Sequence, residues 1–462
     1  MRTYILLICL LAGITTSAQG IPQKLDTAVA NFEKDVQMRN AIIGFYVINS
    51  KTGEIIFNRN GAIGLAGAST QKVITSTTAL ETLGATYQYK TELAYDGIIK
   101  NGVLTGNLYL VGNGDPTLGS WRYTSTKENI VLDNWLKAIA AAGIKKINGK
   151  VVVYDKNFES QTTPGGWIWD DIGNYYGAGA SGFNWRENQY DINFKTGKSG
   201  EGVNILNTEP ALFGNTFINE VTAGKEGSGD NAYIYRAPMQ ATAVLRGTLP
   251  PNRSNFTISG SLHAPSFQLS HTFSKLLGDK GYGKNLAGND VTGEAVPAKL
   301  PANLKIIHTH LSPTLDSINY WFLKRSVNLY GEALLKTLSF NNKEVGNTKG
   351  GVDFIKNFWK SKGVEETSIR MQDGSGLSPQ NRLTPEALVK VMMYATTRPW
   401  FSSFYNGLPE INGLRMKSGT IGGAKSFTGY SGDYIFAIIV NNYNGSAGDI
   451  QKKMWRVLEE LK

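Results

Sequence analysis

Cysteine is nearly absent. The only one among 462 residues, Cys9, falls inside an apolar run from Tyr4 to Ala12. That run follows the short basic start Met1-Arg2-Thr3 and precedes Thr16-Ser17-Ala18, which offers small side chains where a signal peptidase reads them. The pattern is that of a secretory signal peptide cut after Ala18, and the run is too short to span a membrane. Cys9 is not at the end of the run, which argues against a lipoprotein anchor. The mature chain would hold no cysteine, excluding disulfides, thiolate metal sites and a cysteine nucleophile. Export without disulfides suits a bacterial envelope, so the expected location is the periplasm or cell envelope.

Histidine is scarce as well: His263, His271, His308 and His310. None forms a helical i, i+4 pair with an acidic neighbour as a zinc hydrolase would need. His308 and His310 share one side of a strand, and neither a metal nor a cofactor is expected. Blocks of Lys or Arg are also missing. The net charge of +10 is spread along the chain without interleaved aromatic platforms, which reads as attraction to anionic wall polymer or membrane surface and not to nucleic acid. No internal repeat or low-complexity tract occurs, and no transmembrane segment remains after signal removal.

Three glycine-rich stretches lack the context their motifs require. Gly177 to Gly182 fits G-x-G-x-x-G, but no strand precedes it and no helix follows. Gly278 to Lys284 nearly fits a phosphate loop, yet Asn285 stands where a hydroxyl must bind magnesium. Gly374-Ser375-Gly376 is not a nucleophile elbow, because Asp373 takes the first glycine's place.

A chain this long exceeds one hydrophobic core, implying several domains or one domain with a large insertion. After the signal, Leu25, Val29, Phe32 and Val36 keep a helical period, and Ala41 to Asn49 and Glu54 to Phe57 read as a hairpin around Lys51-Thr52-Gly53. A helix starts near Ser69 and runs through Leu80. From about Tyr89 to Asn303 the texture is one of short alternating runs broken by Gly, Asn and Asp, with few long helical periods. Beyond Leu304 come helices at Leu329 to Leu338 and Pro385 to Ala395. Strands follow at Leu414 to Lys417, Ser426 to Gly429 and Tyr434 to Val440, with a Gly422-Gly423 hairpin turn, and Ile450 to Leu461 is an amphipathic helix. The expected division is therefore residues 1–18 signal, 19–88 first part of a domain, 89–303 inserted β-rich domain or domains, and 304–462 second part.

Ser69-Thr70-Gln71-Lys72 puts a hydroxyl and an amine one helical turn apart on the same face of a helix N-terminus. There a neutral lysine can take the serine proton. Ser326-Val327-Asn328 precedes a helix, and Lys417-Ser418-Gly419-Thr420 ends a strand before the hairpin. Each alone has an ordinary reading, as a cap, a solvated lysine or an edge turn. In this order they form the S-x-x-K, S-x-N and K-[ST]-G trio of β-lactamases and penicillin-binding proteins. With Gly112-Asn113-Gly114-Asp115-Pro116-Thr117-Leu118 and Asp373-Gly374-Ser375-Gly376-Leu377-Ser378, the chain resembles the class C low-molecular-mass penicillin-binding proteins. These are the D-Ala-D-Ala carboxypeptidase/endopeptidase family, with a large insertion after the nucleophile helix. The resemblance extends over nearly the whole mature chain, and more than half of the chain separates Ser69 from Ser326.

That resemblance implies an α+β fold, a β-lactamase/transpeptidase-like domain with helices on both faces of an antiparallel sheet, carrying a β-rich insertion. It also implies the chemistry. Ser69 attacks the penultimate D-Ala carbonyl, Lys72 accepts its proton with its pKa depressed by Lys417 and burial, and the N–H groups of Ser69 and Thr420 form the oxyanion hole. Ser326 relays the proton, Asn328 holds the substrate amide, Lys417 with Thr420 attracts the terminal carboxylate, and Ser418 and Gly419 join Thr420 in binding the substrate. Asp155 of the insertion reaches the cationic side-chain end, peptidoglycan peptides are the substrate, and β-lactams inhibit. Val327, Ser418 and Pro379 depart from the commoner residues, the last where relatives often carry a basic one for the diamino acid. The competing readings are a β-lactamase, against which the insertion argues, and a non-catalytic wall-binding sensor, which would be expected to lack Lys72, Ser326 or Lys417.

Overall fold

Hydrophobic runs from the two ends of the chain meet in one sheet. The computed structural model describes residues 20–341 and 345–462, and the expected signal peptide lies outside the described residues. Six antiparallel strands follow the order Glu410–Ile411, Leu414–Ile421, Ala424–Ser431, Tyr434–Asn441, Ile42–Asn49 and Ile55–Arg59. The central pairing joins the termini, from Ile42 opposite Asn441 to Asn49 opposite Tyr434. Alternation along a strand divides its side chains between two cores. Phe436, Ile438 and Val440 pack with the helices Ile21–Glu33 and Ala447–Glu459, whereas Ile435, Ala437 and Ile439 pack with Lys72–Leu83, Asn328–Phe340 and Pro385–Thr396. Both faces are covered, which is why Tyr434 to Val440 reads as an unbroken apolar run.

The first helix stops at Glu33, and Val36, expected on its buried face, is 68% exposed. Asp35 caps the short turn that follows by accepting the N–H of Gln37, and this redirects the chain.

The intervening segment builds two further large cores and a small cluster of Tyr109, Val152, Tyr154 and Val296. In the first, strands Lys305–Leu311, Lys90–Tyr95, Leu108–Gly112 and Val151–Tyr154 form a sheet packed by helices Glu128–Ala141 and Pro265–Asp279 around Trp135, Trp185 and Phe273. In the second, two three-stranded sheets enclose Tyr190, Ile192, Phe194, Val221 and Leu245. Glu128–Ala141 and Pro265–Asp279 are the few long helices of a stretch otherwise built of short strands. Leu269, Phe273 and Leu277 do recur at helical spacing, but the Gly- and Asn-rich loops around them dominate the texture. Because Lys305–Leu311 pairs with Lys90–Tyr95, we place the return to the first body near residue 312. The glycines of the Gly177 to Gly182 stretch let backbones pass closely: a Cβ on Gly177 would lie 2.0 Å from the Asp171 carbonyl oxygen, and one on Gly182 would lie 2.2 Å from that of Asp155.

Removing a side chain shared by sheet and helices leaves a cavity, whereas trimming an exposed one does not. Phe436→Ala is therefore expected to cost about 3–5 kcal/mol of stability and Val36→Ala no more than about 0.5 kcal/mol, read from urea unfolding of the two variants.

Candidate active site

The loop ahead of Ser69 is pinned to the sheet, since Asn441 accepts the N–H of Ala66 at 2.8 Å and Ser426 Oγ donates to the Gly67 carbonyl at 2.6 Å. A tight turn over Ala68–Gln71 then feeds the helix Lys72–Leu83. Ala68 takes a left-handed conformation, φ +46, immediately before Ser69, and Ser326 does the same at φ +57. Non-glycine residues hold such angles only where their surroundings impose them.

Lys72 is fully buried and its ammonium donates to three oxygens: Ser69 Oγ at 2.8 Å, Asn328 Oδ1 at 2.7 Å and the Ser375 carbonyl at 2.6 Å. Three segments remote in sequence thus converge on one nitrogen. Asn328 is no cap. It opens the helix Asn328–Phe340, and its Nδ2 donates to the Tyr176 carbonyl at 2.8 Å. The loop carrying Ser375 is organised by the buried carboxylate of Asp373, which accepts from Gln71 Nε2, Trp167 Nε1, Asn381 Nδ2 and the N–H groups of Gly376 and Ser378. Glu332 accepts the Gly374 N–H beside it.

The strand Leu414–Ile421 closes on the nucleophile through Gly419. A Cβ there would lie 2.4 Å from the Gly67 carbonyl oxygen and 2.9 Å from the Ser69 nitrogen. The two-residue turn makes Ile421 and Ala424 a hydrogen-bonded pair, so the alternation of an antiparallel ladder turns the Thr420 N–H away from Lys425, toward the open edge. Lys417 is buried and donates to the Ser418 carbonyl at 2.9 Å, while Lys425, which sequence reasoning missed, donates to Thr420 Oγ1 at 2.8 Å.

Burial lowers Lys72 to about 7, although Asp373 and Glu332 pull the other way. Lys417 is driven well down by burial, then by Lys72 and Lys425. Burial is the first cause for both amines, and the repulsion between Lys72 and Lys417 is shared by the pair, disfavouring the state in which both are charged. Burial, reinforced by Asp373, raises Glu332.

A cleft of about 580 Å³ opens onto Ser69, Ser326, Asn328 and Thr420. Lys72, Lys417 and Gly419 are buried, and Ser418 is half-buried outside the cleft lining. The opposite wall comes from the insertion: Arg122, Asp171, Tyr176 and Gln189. Asp155 is not there. It accepts from Ser266 Oγ at 2.6 Å and lines a separate pocket with His263 and Phe267. The carboxylate in the cleft is Asp171, raised by burial and steadied by the Tyr176 hydroxyl. From sequence both are aspartates near the end of a short apolar run, and only the packing separates them. Among the described residues no His/Cys/Asp/Glu group could hold a metal ion.

A family model described as D-Ala-D-Ala carboxypeptidase 3 (S13) family matches residues 25–413. The chain is 26% identical to a D-alanyl-D-alanine carboxypeptidase of Actinomadura sp. (strain R39), covering 90% of this chain and 80% of that protein. It is also 26% identical to the D-alanyl-D-alanine carboxypeptidase DacB of Haemophilus influenzae, covering 90% and 88% respectively. Among solved structures, penicillin binding protein 4 (dacB) from Haemophilus influenzae superposes with a TM-score of 0.78 at 22% identity, covering 94% of this chain and 99% of that one. The same protein complexed with a novel beta-lactam gives 0.74 at 21% identity, with the same coverage. The fold is shared, with its antiparallel sheet between helical layers.

Gly376 has φ +83, and a Cβ on it would lie 2.0 Å from the Ala68 carbonyl oxygen, next to the nucleophile; Gly143 has φ +77 and open space. Gly376→Ala is expected to cost more than about 2 kcal/mol and Gly143→Ala only about 1 kcal/mol, the conformational part alone. Thermal unfolding of the two variants separates strain from collision.

Proposed function

The chain belongs to the D-Ala-D-Ala carboxypeptidase 3 (S13) family and is a serine-type D-Ala-D-Ala carboxypeptidase; from that premise we propose that it works through an acyl-enzyme on Ser69, which also serves D,D-endopeptidase cleavage and is trapped by β-lactams. The observation that carries this reading is the 2.8 Å contact between the Lys72 ammonium and Ser69 Oγ, with that lysine fully buried and held to about 7. Near neutral pH a fraction of Lys72 is then neutral and can accept the serine proton as Oγ attacks the penultimate D-Ala carbonyl. The N–H groups of Ser69 and Thr420 receive the developing oxyanion. Ser326 passes the proton to the departing amine, and water releases the acid.

Asn328 spends both ends of its amide on Lys72 and on Tyr176, so its first role is to fix the base, and the substrate amide competes for the remaining capacity. Lys417, Thr420 and the neighbouring Lys425 receive the terminal carboxylate, whose arrival favours recharging Lys417. Endopeptidase action needs room for a leaving group larger than alanine, and a cleft of about 580 Å³ supports it. Peptidoglycan stem peptides and their cross-links are the substrates, in the cell envelope, consistent with the expected signal peptide. No helix among the described residues is long and apolar enough to cross a membrane.

Labelled penicillin is expected to attach to the parent and not to Ser69→Ala, and persistent labelling of that variant refutes the assignment. Because the base must be neutral, acylation is lost as pH falls through about 7. Lys417→Ala is expected to slow acylation by about tenfold or more through one lost charge-assisted contact. It also moves the acidic limb to higher pH, since removing a neighbouring cation lets Lys72 hold its proton more tightly; a limb that stays put at undiminished rate would sink the assignment.

Asp171 faces the cationic side-chain end of the stem peptide in place of Asp155. Asp171→Asn is expected to lower the preference for a diaminopimelate peptide over its acetylated analogue by about tenfold, the value of one charge-assisted hydrogen bond, and Asp155→Asn to leave it unchanged. Competition assays with the two peptides decide between them.

A further inference from the structure

Beside the catalytic cleft lies a larger cavity, about 790 Å³, walled by the insertion, and Gln189 lines both. The partition is completed by two adjacent residues, Trp121 facing the larger cavity and Arg122 facing the cleft. The Arg122 guanidinium lies 5.6 Å from the Trp121 ring centroid and covers one side of the indole. Trp121 nevertheless remains 49% exposed, its uncovered side facing the cavity.

The rest of the wall is polar and held at a cost. Arg186, Glu187 and Asn188 are three successive non-glycine residues in the left-handed region, at φ +54, +54 and +50, a conformation that crowds the Cβ of each. Glu187 is fully buried and accepts from Ser120 Oγ, Arg122 Nε and Tyr330 Oη, while Asn188 Oδ1 accepts the Trp185 N–H. The strained turn aims neighbouring residues in opposite directions, Glu187 toward Arg122 of the cleft and Arg186 into the cavity, where it pairs with Glu128. Asp191 accepts from Ser259 Oγ on the same wall. Two lining residues, Tyr190 and Arg186, each carry a buried polar atom without a protein partner, Oη and Nε respectively.

We propose that this cavity binds the glycan strand of the substrate, the saccharide to which the stem peptide held at Ser69 is attached. An indole with one open face offers a platform for the apolar side of a sugar ring. Carboxylates, a guanidinium and an amide around it suit hydroxyl and acetamido groups, each of which donates and accepts. A polyanion is disfavoured, because Glu128, Asp191 and Glu209 share the wall with Arg186 and Lys127. A wholly apolar ligand would leave these groups unpaired. The inference rests on the carboxypeptidase reading of the cleft, since a stem peptide whose C-terminal end lies at Ser69 must carry its glycan to a place next to that cleft.

Two measurements on the full chain test it. Glycan strands of alternating N-acetylglucosamine and N-acetylmuramic acid, their lactyl carboxylates capped as methylamides so that the strand is uncharged as it is where a stem peptide is attached, are titrated calorimetrically into the parent, Trp121→Ala, Trp121→Tyr and Asp191→Asn. In parallel, kcat/KM is compared for a disaccharide-pentapeptide and the free pentapeptide. Saturable glycan binding by the parent is expected, weakened by about fivefold or more in Trp121→Ala and in Asp191→Asn and largely regained in Trp121→Tyr. The kcat/KM ratio should exceed one in the parent and fall toward one in Trp121→Ala. Absence of glycan binding by the parent, or binding and ratio that ignore both substitutions, overturns the proposal. Failure of the carboxypeptidase reading would appear separately, as free pentapeptide left uncleaved by the parent.

Discussion

A buried ammonium with three acceptors and no solvent organises this molecule. Desolvating a charge costs several kcal/mol unless every hydrogen is placed, and Lys72 places its three on a serine hydroxyl, an asparagine carbonyl and a backbone carbonyl. These come from the first helix after the hairpin, the helix that begins at Asn328 and the loop governed by Asp373. None of the three can shift without exposing or stranding the charge. The same constraint supplies reactivity, because burial that makes the ammonium costly makes the amine accessible near neutral pH.

The insertion belongs to this arrangement and is not an appendage to it. Trp167 donates to Asp373, the Tyr176 carbonyl accepts from Asn328, and Glu187 accepts from Tyr330. The buried ammonium of Lys336 reaches the carbonyls of Gln161 and Ala180. Each bond crosses from the inserted cores to the helix or the loop that carries the site. The cleft therefore has one wall from each part, and the insertion's wall holds most of its charge. Left-handed residues gather on this seam, at Ala68, Ser326 and Arg186 to Asn188. Backbone strain of this kind persists where packing and hydrogen bonds over-determine a geometry that function uses.

The motif trio, the unbroken apolar strands and the helix periods were legible because each depends on neighbours within a few residues. Ser69 and Lys72 face the same way by helical spacing alone, and Gly422-Gly423 joins two strands by turn chemistry alone. The two helices of the insertion were partly legible in Leu269, Phe273 and Leu277 but were obscured by the loops around them. Local sequence therefore determined the family, the class of fold and the identity of the reacting groups. Tertiary structure decided which aspartate meets the cleft, that Lys425 stands beside Lys417, how deeply Lys72 is buried, and that Trp121 and Arg122 separate two cavities. Those facts are distances between residues remote in the chain and depths below the surface. Neither the electrostatic environment of a group nor the wall it lines exists until the cores have packed.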